Sequence, residues 1–198
     1  MKAVFSALFT ALLLVVPAVS APITYYANLS GPNEAPPNNS PGTGFGQVTI
    51  DVVAHTLLVD MVFSNLTVAN TASHIHCCTT VPLTGTAGVA TSVPTFIGFP
   101  TGTTSGTYNH TFDLLSSVTW NPAFVTANGG TTAGAEAALA AGLAAGESYL
   151  NIHTGNFPNG EIRGFLQPVP EPGTFVIGAA ALLGLAIRKR AGQSRCGR

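Results

Sequence analysis

YLNIHT (Tyr149–Thr154) and, one loop later, GEIRGFL (Gly160–Leu166) carry the period-two alternation that decides the fold. Such alternation marks strands with one buried face. Leu150 and Ile152 point one way, whereas Tyr149, Asn151 and His153 point the other. The intervening GNFPNG (155–160) is turn chemistry, and its Asn159-Gly160 pair is the strongest hairpin signal in the region. In the second run Ile162 falls opposite Glu161 and Arg163, and Arg163 is the only basic residue between Ser20 and Pro170.

Working outward, Ile23–Leu29, Gln47–Val53, Thr56–Ser64, Ala72–Cys78 and Gly106–Leu115 are further predicted strands. A proline-rich loop covers 31–42. A Thr/Gly/Pro-rich loop separates the last two strands and holds at most a short edge strand at 95–97. Trp120–Phe124 supplies aromatic bulk before a turn at 128–130. One helix is predicted over Ala133–Ala145, with Leu139 and Leu143 on one face and Gly146 placed to end it. Many short strands with one minor helix predict an all-β antiparallel sandwich or barrel.

Charged residues make up only 8% of the 198 residues, far fewer than a typical soluble domain carries. Between Glu34 and Glu161 seven acids face one cation, Arg163, a balance of −6. That excludes nucleic acid as a partner, because phosphate binding rests on lysine and arginine. Three cysteines cannot build a disulfide framework. Cys77 and Cys78 are adjacent and would point to opposite faces of a strand. A small buried residue is therefore expected rather than a bond between them, with an intermolecular or metal role as the alternative.

Both termini carry targeting chemistry. Lys2, the apolar run Phe5–Val16 and the small residues Ala18 and Ser20 read as a secretory signal peptide over 1–20, too short for a spanning helix. After a β domain over 23–167, residues 168–174 form an extended linker, since repeated prolines block helix. The apolar run 175–187 is a short transmembrane helix of ~20 Å against a ~30 Å hydrocarbon core. Arg188, Lys189 and Arg190 then place the tail 188–198 on the cytoplasmic side.

Pro170, Glu171 and Pro172, followed by the apolar run and the basic tail, resemble a PEP-CTERM sorting signal. In that system of Gram-negative bacteria an exosortase recognises the Pro-Glu-Pro segment and processes the tail. The resemblance implies passage through the inner membrane to the envelope, the surface or the medium, often in bacteria that make extracellular polysaccharide. The body is similar to the CHRD domain, through LSGPNEAPP (29–37), SHIH (73–76), GESYLNIHT (146–154) and PNGEIRG (158–164). That resemblance implies an immunoglobulin-like β-barrel with a limited likeness to copper/zinc superoxide dismutases, and it brings no established function. Cys77-Cys78, where a glycine is more usual, and the long Thr/Gly stretch after them depart from the family pattern.

On a strand, His74 and His76 project from one face, ~6.6 Å apart, with Ile75 opposite. His153 lies on the outward face of its own strand. If the two strands are neighbours, three imidazoles converge, with Asn151 or Glu161 in reach. Three neutral imidazoles suit copper or zinc with an open fourth position. Local hydrogen bonding and direct partner contact are the competing readings. No Gly-x-Ser-x-Gly elbow, phosphate loop or His-Glu-x-x-His is present. The leading expectation is a non-enzymatic envelope or matrix module, acting by structure or by binding polysaccharide or envelope proteins. The alternative is a metal-binding protein with a three-histidine surface site of a kind that copper could make redox-active. Arg163 discriminates: pointing into the patch it would favour an anion, and paired with a carboxylate it would balance charge.

Overall fold

The computed structural model describes residues 21–169. The signal-peptide segment, the Pro170–Pro172 motif, the apolar run and the basic tail lie outside the described residues. The strands are β1 (Ile23–Ser30), β2 (Thr43–Asp51), β3 (Thr56–Ser64), β4 (Asn70–His76), β5 (Gly106–Asp113), β6 (Tyr149–Thr154), β7 (Ile162–Phe165) and β8 (Gln167–Pro168). They form one antiparallel sheet in the order β4-β6-β7-β1-β2-β3-β5, with β8 also against β1.

β1, β2, β3 and β5 pair along nearly their whole lengths, but β7 meets β1 only at Ser30 opposite Arg163. The sheet curls at this thin seam into a half-barrel, bringing the inward side chains of its two halves together. Tyr25, Val48, Leu57 and Phe63 from one half share a core with Ile75, Leu150, Ile152 and Ile162 from the other. Gly46 marks the closest approach, since a Cβ there would strike the Leu150 side chain. Helix α2 (Thr132–Ala144), capped by the Thr131 hydroxyl, lays Ala135, Leu139 and Leu143 into the same core.

Where local structure departs from the expected elements, a specific contact explains it. A second, six-residue helix α1 (Pro122–Ala127) follows Trp120, because Asn121 caps it and Pro122 occupies its first turn. β2 ends at Asp51, whose carboxylate accepts the amides of Val53 and Ala54, so Val52 begins the turn and is exposed. Residues 95–97 form no strand. They touch β4 through single bonds such as Phe96 N–H to Ser73 O (3.0 Å). β4 ends at His76, so Cys77 and Cys78 are not strand residues, and the alternation that kept their side chains apart does not apply. They are bonded to each other as a vicinal disulfide.

Candidate metal centre

β4 and β6 are neighbours, with His74 opposite Asn151, His76 opposite Tyr149 and Ala72 opposite His153. Ser73, Ile75, Leu150 and Ile152 fill the core side, which sends the histidines to the outer face. That face is not surface, contrary to the sequence expectation. His74 is 5% exposed, His76 8%, and only His153 is half-buried. The long loop after β4 lies over them, tied by Thr91 Oγ1 to the Ile75 amide (3.1 Å) and by the Ala90 amide to Ile75 O (2.9 Å). The Thr/Gly/Pro-rich composition that marked this stretch as loop is what lets it follow the strand edge.

The three ring centroids lie 5.2–5.9 Å apart, and one nitrogen from each ring lies within 4.8 Å of the others. Backbone carbonyls assign the tautomers. His74 Nε2 stands 2.8 Å from Pro94 O, His76 Nδ1 2.9 Å from Ala87 O, and His153 Nδ1 3.0 Å from Pro158 O. A carbonyl only accepts, so each of these nitrogens carries the hydrogen and the other nitrogen of each neutral ring is a bare lone pair. His74 Nδ1 and His153 Nε2 therefore face each other at 3.3 Å with no proton between them, and buried His76 Nε2 has no hydrogen-bond partner.

Lone pairs so placed repel unless a cation lies between them. A shared proton is disfavoured: burial first, then the neighbouring rings, lower the basicity of His74 and His76 to about 4, and burial lowers His153 as well. A metal ion meets the geometry better. Tetrahedral bonds of ~2.0–2.1 Å put two nitrogens ~3.3 Å apart, and metal-ligating histidines characteristically give their second N–H to a carbonyl. The widest separation, 4.8 Å, has to close by roughly 1.5 Å around such an ion.

Of the other candidate residues, Asn151 belongs to this patch and Glu161 does not. Glu161 is fully buried and accepts from Ser40 Oγ (2.6 Å), Thr154 Oγ1 (2.6 Å), and the Thr67 amide (2.7 Å) and hydroxyl (3.0 Å). Burial alone would raise its carboxyl, but these donors hold it below the ordinary range. Arg163 pairs with neither Glu161 nor Glu147. Its Nε donates to Asn33 O, its Nη1 to Gly85 O (2.9 Å), and Glu34 Oε2 lies 3.7 Å away. Its guanidinium stands 4.8 Å over the Tyr149 ring, and Tyr149 stacks on His76 at 4.7 Å. Burial pushes the Glu34 carboxyl up to about 7 despite Arg163. Beside this pair opens a cavity of about 660 Å³ lined by Tyr26, Asn28, Asn33, Phe165 and Gln167. His55 turns instead to Glu136 (2.9 Å) and His110 packs on Phe112, so neither joins the cluster.

Sequence reasoning missed Glu34 and the three carbonyl acceptors. Backbone oxygens leave no mark in a sequence, whereas Glu34 had one signal: an acid within a proline-rich loop. Fold and cluster together define a class of protein, an antiparallel β half-barrel with three histidines under a loop. A model of the CHRD domain matches residues 25–166, and the chain belongs to that family. A model of the PEP-CTERM protein-sorting motif matches residues 168–190, which makes the chain an exported, exosortase-sorted protein of the cell envelope. No curated protein and no solved structure matches it.

Proposed function

We propose that this envelope protein binds one copper or zinc ion through His74, His76 and His153, and that it acts as a binding protein rather than an enzyme. The observation that carries the reading is the pair of bare nitrogens, His74 Nδ1 and His153 Nε2, held 3.3 Å apart by their carbonyl-anchored rings. Imidazole donors suit copper and zinc, and three of them leave a position for an exogenous ligand. The ion would supply a concentrated positive charge at that position. Metal analysis of the tag-free protein tests the reading: one equivalent of copper or zinc is expected, and its loss in His76→Gln. Substoichiometric metal after incubation with either ion would overturn it.

A second reading, a polysaccharide contact, is favoured by the cavity beside Arg163. Its planar amides (Asn28, Asn33, Gln167) offer paired donors and acceptors to hydroxyls, and Tyr26 and Phe165 offer ring faces. Retardation of the protein in gels containing a neutral glucan or an alginate, reduced by Tyr26→Ala, is the expected outcome. Migration unchanged by either polymer would remove this reading and leave the metal site untouched.

A further inference from the structure

Among the described residues, three buried side-chain polar atoms have no hydrogen-bond partner: His76 Nε2, Ser148 Oγ and Asn151 Oδ1. A buried polar atom without a partner calls for an explanation, often a missing water or ion. His76 and Asn151 share the outer face of the β4–β6 ladder, where Asn151 stands directly opposite His74. The metal reading accounts for His76 Nε2. It leaves Asn151 Oδ1, which is 2% exposed as a residue and cannot be a hydrogen-bond donor.

The orientation of this amide is fixed. Asn151 Nδ2 donates to Glu34 Oε1 at 2.7 Å within the protein interior. Gly160 of the β6–β7 turn lets the two approach, since a Cβ there would strike both Asn151 Nδ2 and Glu34 Oε1. Glu34 itself is drawn to Arg163 of β7. In a planar amide the nitrogen and oxygen diverge, so the contact to Glu34 occupies Nδ2 and leaves Oδ1 without a partner on the outer face that Asn151 shares with His74, the residue opposite it. The rings there have no hydrogen to give. Each donates its only N–H to a carbonyl, His74 to Pro94, His76 to Ala87 and His153 to Pro158. The partner of Oδ1 has to be a donor from outside the chain.

We infer that Asn151 is a positioning residue for the exchangeable fourth ligand of the ion, a water molecule that donates to Asn151 Oδ1. The inference rests on the metal-binding reading of the three histidines. It also predicts a preference. A carbonyl-type oxygen at that position favours ligands that carry a hydrogen and opposes aprotic anions such as azide. Glu34 takes part only by holding the amide.

The test uses the tag-free full chain, cupric ion as the only metal and sodium azide as competitor, read by the copper–azide absorption band and by electron paramagnetic resonance. Asn151→Leu, close in volume, is expected to leave three nitrogen ligands in the resonance spectrum. It should weaken copper binding 10–100-fold, the usual effect of losing an outer partner of a metal site, and tighten azide binding about 10-fold. Glu34→Ala keeps the asparagine but removes the acceptor that holds its amide, which is then free to rotate. It is expected to shift azide binding in the same direction, and it serves if Asn151→Leu does not fold. No copper on the unaltered protein overturns the metal-binding reading and this inference with it. Copper on three histidines with azide binding unchanged in both variants overturns this inference alone, as does copper that never responds to azide.

Discussion

The two halves of the sheet carry the same alternation to opposite ends. On β1-β2-β3-β5 the outward residues, among them Thr24, Gln47, Thr49, Asp60, Asn109 and Thr111, meet solvent wholly or in part. On β4-β6-β7 the outward residues His74, His76, Tyr149, Asn151 and Arg163 are buried. The connections make the difference. β2 and β3 are joined by the tight turn 52–55, which covers nothing, whereas 31–42 and 77–105 are long enough to lie over the second half. Those loops bring carbonyls (Ala87, Pro94, Gly85, Asn33) to side chains that would otherwise find water. Alternation assigns a side chain to a face, and loop length decides whether that face is wet.

The largest expected consequence is a pH dependence confined to the covered half. Folded-state values near 4 for His74 and His76 lie below the ordinary 6.5, so the unfolded chain binds more protons between these limits. The contribution of these two rings to the stability of the metal-free protein is therefore complete above pH 6.5 and is lost as pH falls through 4, by at most about 3 kcal/mol per ring. Glu34 has the opposite sign: its carboxyl is raised from 4.5 to about 7, so it draws stability down as pH rises through that window. Urea midpoints from pH 3 to 8 should show the acid loss, and His74→Gln with His76→Gln should flatten it. An acid limb unchanged by that pair of substitutions would mean the covered half is wetter than its burial implies.

Next in size is Glu161→Ala. Its carboxylate gathers Ser40, Thr67 and Thr154, so removal leaves four donors in or near a buried space and should cost about 3 kcal/mol or more in urea unfolding. The Glu-Ile-Arg run pointed to this acid but not to its role. Period two placed Glu161 opposite Ile162, while the reach of the 31–42 loop and of Thr67 toward it is non-local. The fold was legible for a related reason: strand faces, the Asn159-Gly160 turn and the Leu139/Leu143 helix face are set by neighbours in sequence. The pairing of β4 with β6 is not set that way, since alternation gives the faces of two strands but not their adjacency. The burial of its histidines could not be read, because it depends on where a Thr/Gly/Pro-rich loop lies.

Arg163→Lys separates charge from shape in the same half. The guanidinium ties the Asn33 and Gly85 carbonyls together while lying over Tyr149 and Phe165, a forked and planar contact that an ammonium cannot reproduce. A loss of about 2 kcal/mol is expected, one hydrogen bond of the charged kind, with faster amide exchange in both loops. An unaltered midpoint and unaltered exchange would show that the loops are held by other contacts and that the charge alone matters.

The smallest effect belongs to the open half. Asp60 faces outward on β3, opposite Gln47 and Asn109, and is exposed. Asp60→Asn keeps the shape, removes one of the acids in a domain with seven acids and one cation, and should change the free energy of urea unfolding by less than about 0.5 kcal/mol. Any shift should be toward stability, because losing one negative charge eases the repulsion of the rest, and added salt should erase it. The isosteric Glu161→Gln makes the matching change under the loops, where an amide nitrogen would meet the donors of Ser40, Thr67 and Thr154, and it should cost several times more. Equal midpoints for the two variants would break the contrast between the halves at its root, since one carboxylate would then be as well hydrated as the other.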